Sequence, residues 1–118
     1  MVYWKNVNEV NPYSPPGHSG TNNRRIVGKK DGMVNMEVII GEIDPGGTAD
    51  PHFHEEIEQA MYILNGKMHV IINGQENILS TGDTVIIPKK AMHEVTNVGD
   101  TPLRFVLMYS PPLNRQQN

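Results

Sequence analysis

Nowhere in this chain does a helical hydrophobic period persist; between residues 33 and 109 it breaks into short apolar, β-branched runs, each stopped by glycine, proline or Asn-Gly. Runs of that kind read as strands joined by turns. The predicted strands cover residues 33–43, 47–54, 59–64, 67–72, 76–79, 84–87, 93–97 and 103–109. Asn65-Gly66, which closes the third of these runs, is a strong hairpin signal. With 118 residues, eleven of them glycine and nine proline, the chain has material for one modest core and many turns. The expected class is all-β, a single antiparallel domain whose strands close into a barrel or jelly roll.

Two places in this pattern carry histidines in a chemically suggestive way. Side chains two apart on a strand share a face, so His52 and His54 can aim both imidazoles at one point. The acidic stretch Glu55-Glu56-Ile57-Glu58 reads as a turn, after which Gln59, Met61 and Ile63 share a face of the next strand. If that face is interior, Gln59 carries a polar group that needs a partner. A second turn, at Pro88-Lys89-Lys90, delivers His93 to the start of another strand. Three imidazoles and one oxygen donor suit a divalent first-row ion: manganese, iron, cobalt, nickel, copper or zinc. Calcium and magnesium, which want oxygen ligands, suit it poorly. Glu58 competes with Gln59 as fourth donor, but alternation turns the two to opposite faces.

These residues resemble the two sequence motifs of the cupin family. The first motif runs Gly, His-x-His, an acidic or amide ligand, Gly, and is met by Gly46, His52, His54, Gln59 and Gly66. The second is met by Gly82, Pro88, His93 and Asn97. The resemblance covers residues 46–97 and implies an antiparallel double-stranded β-helix, the jelly-roll or cupin barrel. It also implies one divalent transition metal per chain, held by His52, His54, Gln59 and His93. Two positions depart from the common pattern: Gln59 stands where glutamate is commonest, and Lys90 replaces a turn glycine. A neutral Gln59 leaves the full double charge on the ion, which favours an anionic or oxygen-rich small molecule at its open positions.

The formal net charge is −3 and the ten basic residues are dispersed, so nucleic acid is not an expected partner. No segment approaches a membrane span, and Met1-Val2-Tyr3-Trp4-Lys5 lacks the apolar core of a leader, so the expected location is the cytoplasm. Cysteine is absent, which excludes disulfides and thiolate ligands. The organisation expected is an arm over residues 1–30, a barrel over 31–112 and a frayed tail over 113–118. Residues 6–25, rich in proline, glycine and asparagine, are not expected to form a continuous helix or strand, and an ordered arm would lie on the barrel or on a partner. A homodimer is expected from the resemblance and from the need to protect sheet edges. His18 and His69 read as structural, and Arg24 and Arg25 as surface or dimer contacts, unless one reaches the barrel mouth to meet a ligand carboxylate.

Fold and metal do not fix a reaction. The first expectation is an enzyme acting on a small keto, enol or carboxylate compound by isomerase, lyase or dioxygenase chemistry. The alternative is a binding or sensing module in which the metal anchors the ligand. Cupins that open unsaturated uronates share the His, His, Gln, His set but also carry an acid and an arginine near the last strand. Leu107 and Leu113 stand at those positions here, so that activity is not expected.

Overall fold

The structure, a computed structural model, describes residues 2–113. Apart from Leu113, the tail expected to fray lies outside the described residues. Eight strands run in the order β1 (His18–Val27), β2 (Glu37–His52), β3 (Glu58–Asn65), β4 (Lys67–Ile72), β5 (Gln75–Ser80), β6 (Thr84–Ile87), β7 (His93–Asn97) and β8 (Leu103–Ser110), with one short 3-10 turn before β1 and another between β1 and β2. The strand order is β5-β4-β7-β2-β8-β3-β6, with β1 added along β2, and all pairings are antiparallel. The sheet curls on itself as a jelly-roll barrel. Among the described residues no helix is long and apolar enough to cross a membrane.

Alternation in the strands builds the core. Met61 and Ile63 on β3, Met68 and Val70 on β4, Val85 and Ile87 on β6, and Leu103, Phe105 and Leu107 on β8 all point inward and are at most 5% exposed. Each such side chain stabilises the fold by roughly 1.5 to 3 kcal/mol relative to an exposed one. Their neighbours Tyr62, Leu64 and Ile86 point outward and are exposed.

Two expectations about the chain path need correction. Residues 33–43 and 47–54 do not form two strands; β2 runs unbroken from Glu37 to His52, and His54 lies just beyond it. Asp44-Pro45-Gly46 is an exposed bend, yet β1 pairs with β2 on both sides of it, at Thr21↔Ile43 and Ser19↔Thr48. The bend lets one strand serve both parts of the barrel, since residues before it pair with β8 and residues after it with β7. Gly47 permits the close approach, because a Cβ there would lie 2.7 Å from both Ile43 Cγ2 and the Ser19 carbonyl oxygen. Asn97, a motif residue, locks the bend from β7: its Nδ2 donates to the carbonyls of Ile43 and Thr101 at 2.8 and 2.9 Å.

The second correction concerns the arm. Residues 18–27 form a strand on β2, with register shifts between Ser19 and Thr21 and between Arg25 and Val27, despite their polar composition. Two of their inward side chains, Thr21 and Arg25, are satisfied by partners outside the strand. Arg25 Nε donates to Glu37 Oε2 at 2.5 Å, and Arg25 Nη2 donates to the Tyr13 hydroxyl at 3.0 Å. Arg25 is therefore engaged inside the protomer rather than a surface or dimer contact. Glu37, 2% exposed, also accepts the Leu113 backbone N–H at 2.9 Å, which ties β1 and the last described residue to one carboxylate.

Lys90 occupies the turn that the family pattern reserves for glycine, and it takes a left-handed conformation with φ 65°. Its N–H donates to the His54 carbonyl at 2.7 Å, so the turn clamps the loop that carries His54. A left-handed L-residue costs about 1 to 2 kcal/mol, partly offset on substitution by the greater entropy loss of glycine. Lys90→Gly is thus expected to raise stability by roughly 0.5 to 1 kcal/mol in urea unfolding. A less stable variant would reveal a Lys90 side-chain contact that outweighs the strain.

Candidate metal centre

His52 ends β2 and His93 opens β7, and the two are direct cross-strand partners with ring centroids 4.1 Å apart. His54 comes in from the loop beyond β2, its ring 5.1 Å from His52 and 5.7 Å from His93. One ligand atom from each of the three lies within 4.8 Å of the others. Backbone carbonyls orient two of the rings. His52 Nδ1 lies 2.8 Å from the Asp50 oxygen and His93 Nδ1 lies 2.9 Å from the Ala91 oxygen. A carbonyl only accepts, so each Nδ1 carries the proton and each Nε2 keeps its lone pair for a cation. Burial pushes the His93 pKa below its ordinary value; the Ala91 carbonyl opposes this and His52 adds to it. Neutral imidazole is the form that ligates a metal.

Gln59 faces the same space from β3. It is 8% exposed, whereas Glu58 beside it is exposed to solvent, as strand alternation requires. Gln59 Oε1 and His93 Nε2 are both buried without a hydrogen-bond partner. Two buried acceptors facing one space cannot satisfy each other, and a divalent cation satisfies both. The residues present therefore fit a transition ion with nitrogen and oxygen donors.

His52, Gln59 and His93 line a narrow cavity of about 40 Å³ inside the barrel. Its walls are apolar on most sides: Ile43, Met61, Val95, Phe105 and Leu107, with the Tyr109 ring edge-on to His54 at 5.7 Å. Leu113 also lines it. A wider recess of about 450 Å³, lined also by Asp50, Phe53 and His54, adjoins the cavity and shares His18, His52 and Leu113 with it. Among the described lining residues of the inner cavity there is no Asp, Glu, Lys or Arg.

The sequence reading missed one wall of this cavity. Tyr13, His18, Thr21 and Asn23, all from the arm and β1, line it. His18, read as structural, has its ring 6.2 Å from that of His52. The one sequence signal for this wall is the two-residue spacing of Thr21, Asn23 and Arg25, which an apolar alternation would have made conspicuous. His69 turns away from the site: it lies opposite the buried Met68 and Val70, and its Nε2 is 2.9 Å from Glu76 Oε2 on the outer surface.

A family model described as a cupin domain matches residues 39–109. The pectin degradation protein KdgF of Dickeya dadantii is 36% identical over 75 residues, covering 64% of this chain and 66% of that protein. Among solved structures, KdgF from Halomonas sp. superimposes with a TM-score of 0.83 at 20% identity, covering 97% of each chain. The polyketide cyclase RemF from Streptomyces resistomycificus does so with a TM-score of 0.82 at 22% identity, covering 99% of this chain and 89% of that one. The chain spans 47% to 66% of the length of several curated relatives that it matches. The matched stretch contains the histidine cluster and most of the barrel strands, and it establishes that the chain belongs to the cupin family.

Proposed function

We propose that this cupin is a metal-dependent enzyme that acts without net redox change on a small keto, enol or carboxylate compound, by isomerase or lyase chemistry. The observation that carries the reading is the pair of buried, partnerless acceptors, Gln59 Oε1 and His93 Nε2, beside two further imidazoles. His52, His54, His93 and Gln59 would hold one divalent transition ion, such as manganese, iron, cobalt, nickel, copper or zinc. When bound, such an ion supplies Lewis acidity toward a carbonyl or carboxylate oxygen. All four donors are neutral, so the site keeps a double positive charge and draws an anionic or oxygen-rich ligand. A neutral set also supports a trivalent state less well, which disfavours oxidative routes. The apolar walls exclude water and strengthen electrostatic interactions within the cavity.

The absence of a carboxylate or ammonium group among the described cavity-lining residues favours a second reading, a binding module in which the metal anchors its ligand. The leucines at 107 and 113 both line the cavity and supply no acid or guanidinium, which supports the expectation that unsaturated uronates are not opened here. A homodimer is supported by the exposed Tyr62 and Ile86 on the outer face of β3 and the edge strand β6. We place its work in the cytoplasm.

Elemental analysis of protein purified without an affinity tag should find about one transition ion per chain. Metal-loaded protein should accelerate deuterium exchange at carbon next to the carbonyl in a panel of keto acids, followed by NMR, with no oxygen uptake. Oxygen consumption would overturn the redox-neutral reading, and tight ligand retention without exchange would favour the binding module. Gln59→Glu, which adds a negative donor, is expected to slow metal loss to a chelator about tenfold. Faster loss would remove Gln59 from the donor set.

A further inference from the structure

β1 turns Thr21, Asn23 and Arg25 toward the barrel interior, an unusual run of polar side chains on an inward face. Two of them are provided for. The Thr21 hydroxyl lies 3.4 Å from Ser14 Oγ, and Arg25 is bonded to Glu37 and Tyr13. Asn23 differs: it is 5% exposed, it lines the cavity, and its Oδ1 is buried without a hydrogen-bond partner. Its backbone is engaged in both directions with Tyr13, each N–H donating to the other's carbonyl at 2.8 Å, so the strand cannot turn the side chain out. Gly41, its partner on β2, leaves room for it; a Cβ at Gly41 would lie 3.1 Å from Asn23 Oδ1 and 2.3 Å from the Phe105 ring.

A buried acceptor left unsatisfied is destabilising, and leucine, of nearly the same size, would carry no such cost. We infer that Asn23 is a ligand-binding residue, whose Oδ1 accepts a hydrogen bond from a hydroxyl of the molecule that occupies this cavity. The inference rests on the metal-site reading and narrows its ligand class. The ligand would present oxygens toward the side of the cavity formed by His52, Gln59 and His93, and a further hydroxyl toward β1. A protonated amine would also donate to Asn23, but a dipositive centre in the same cavity repels it. The ligand is therefore a polyhydroxy acid or hydroxy-keto acid rather than an amino acid.

Lactate and glycerate test this directly. Both can chelate a divalent ion through a carboxylate and the adjacent hydroxyl, and glycerate has one hydroxyl more. Cobalt(II)-loaded protein, titrated by its visible absorption, is expected to bind glycerate about tenfold more tightly than lactate. Asn23→Leu and the smaller Asn23→Ala should erase that preference while cobalt content stays the same. Sites built to bond a hydroxyl discriminate against analogues lacking it in this way. Equal affinities in the unaltered protein, or a preference that survives whichever variant folds, would overturn the assignment of Asn23. Failure to take up cobalt would overturn the metal-site reading and this inference with it, whereas cobalt uptake without preference would overturn this inference alone.

Discussion

His93→Ala should lower metal affinity by at least about a hundredfold and leave a folded barrel. A four-donor structural site can be worth about 10 to 16 kcal/mol, so one donor accounts for roughly 3 kcal/mol, or about a hundredfold in affinity. His93 is the most buried of the three histidines, 2% exposed, paired in register with His52 and oriented by the Ala91 carbonyl. The folded state should survive because the core residues Ile63, Met68 and Leu103, each 0% exposed, are packed independently of the imidazoles. Competition with a chromogenic chelator measures the affinity, and circular dichroism of the apo variant measures the fold. An apo variant that is unfolded, next to an apo unaltered protein that is also unfolded, would make the ion a structural staple. Unchanged affinity would place the metal elsewhere.

Arg25→Met should destabilise the domain by about 3 to 5 kcal/mol in urea unfolding, because it leaves a buried carboxylate without its cation. The side chains of the pair are 17% and 2% exposed, so solvent screens the interaction weakly. The loss should fall most heavily on the wall formed by the arm, since Arg25 holds Tyr13 and Glu37 holds the Leu113 N–H. The double variant Arg25→Met, Glu37→Met should recover most of the loss, as apolar replacements of buried ion pairs often do. A single variant within about 1 kcal/mol of the original protein would show that the pair is dispensable.

The barrel was legible because its strands follow alternation: Met61 and Ile63 inward, Tyr62 and Leu64 outward, and likewise Val85 and Ile87 around Ile86. The same rule separated Gln59 from Glu58; two-residue spacing pointed to His52 and His54, and the turn at Pro88 with the second motif pointed to His93, which the fold brings to them. β1 was illegible because Thr-Asn-Asn-Arg-Arg lacks any apolar rhythm. Its inward Thr21 and Arg25 are balanced by Tyr13, Ser14 and Glu37, groups that its own two-residue spacing does not reveal. The unbroken path of β2 was hidden for a related reason. Asp44-Pro45-Gly46-Gly47 is a stop signal by composition, and the strand continues past it through pairing with a segment that was not itself expected to be a strand.

The long, bent β2 also sets a timetable for assembly. It is the second of the eight strands, yet its sheet neighbours β7 and β8 are the last two. The nascent chain can form β1 on β2 early, but the barrel cannot close around them until synthesis has passed Ser110. Such non-local pairing makes closure slow compared with local hairpins. His52 therefore meets His93 only as the barrel closes, and an ion held by both would enter a barrel that is already formed rather than one in the making.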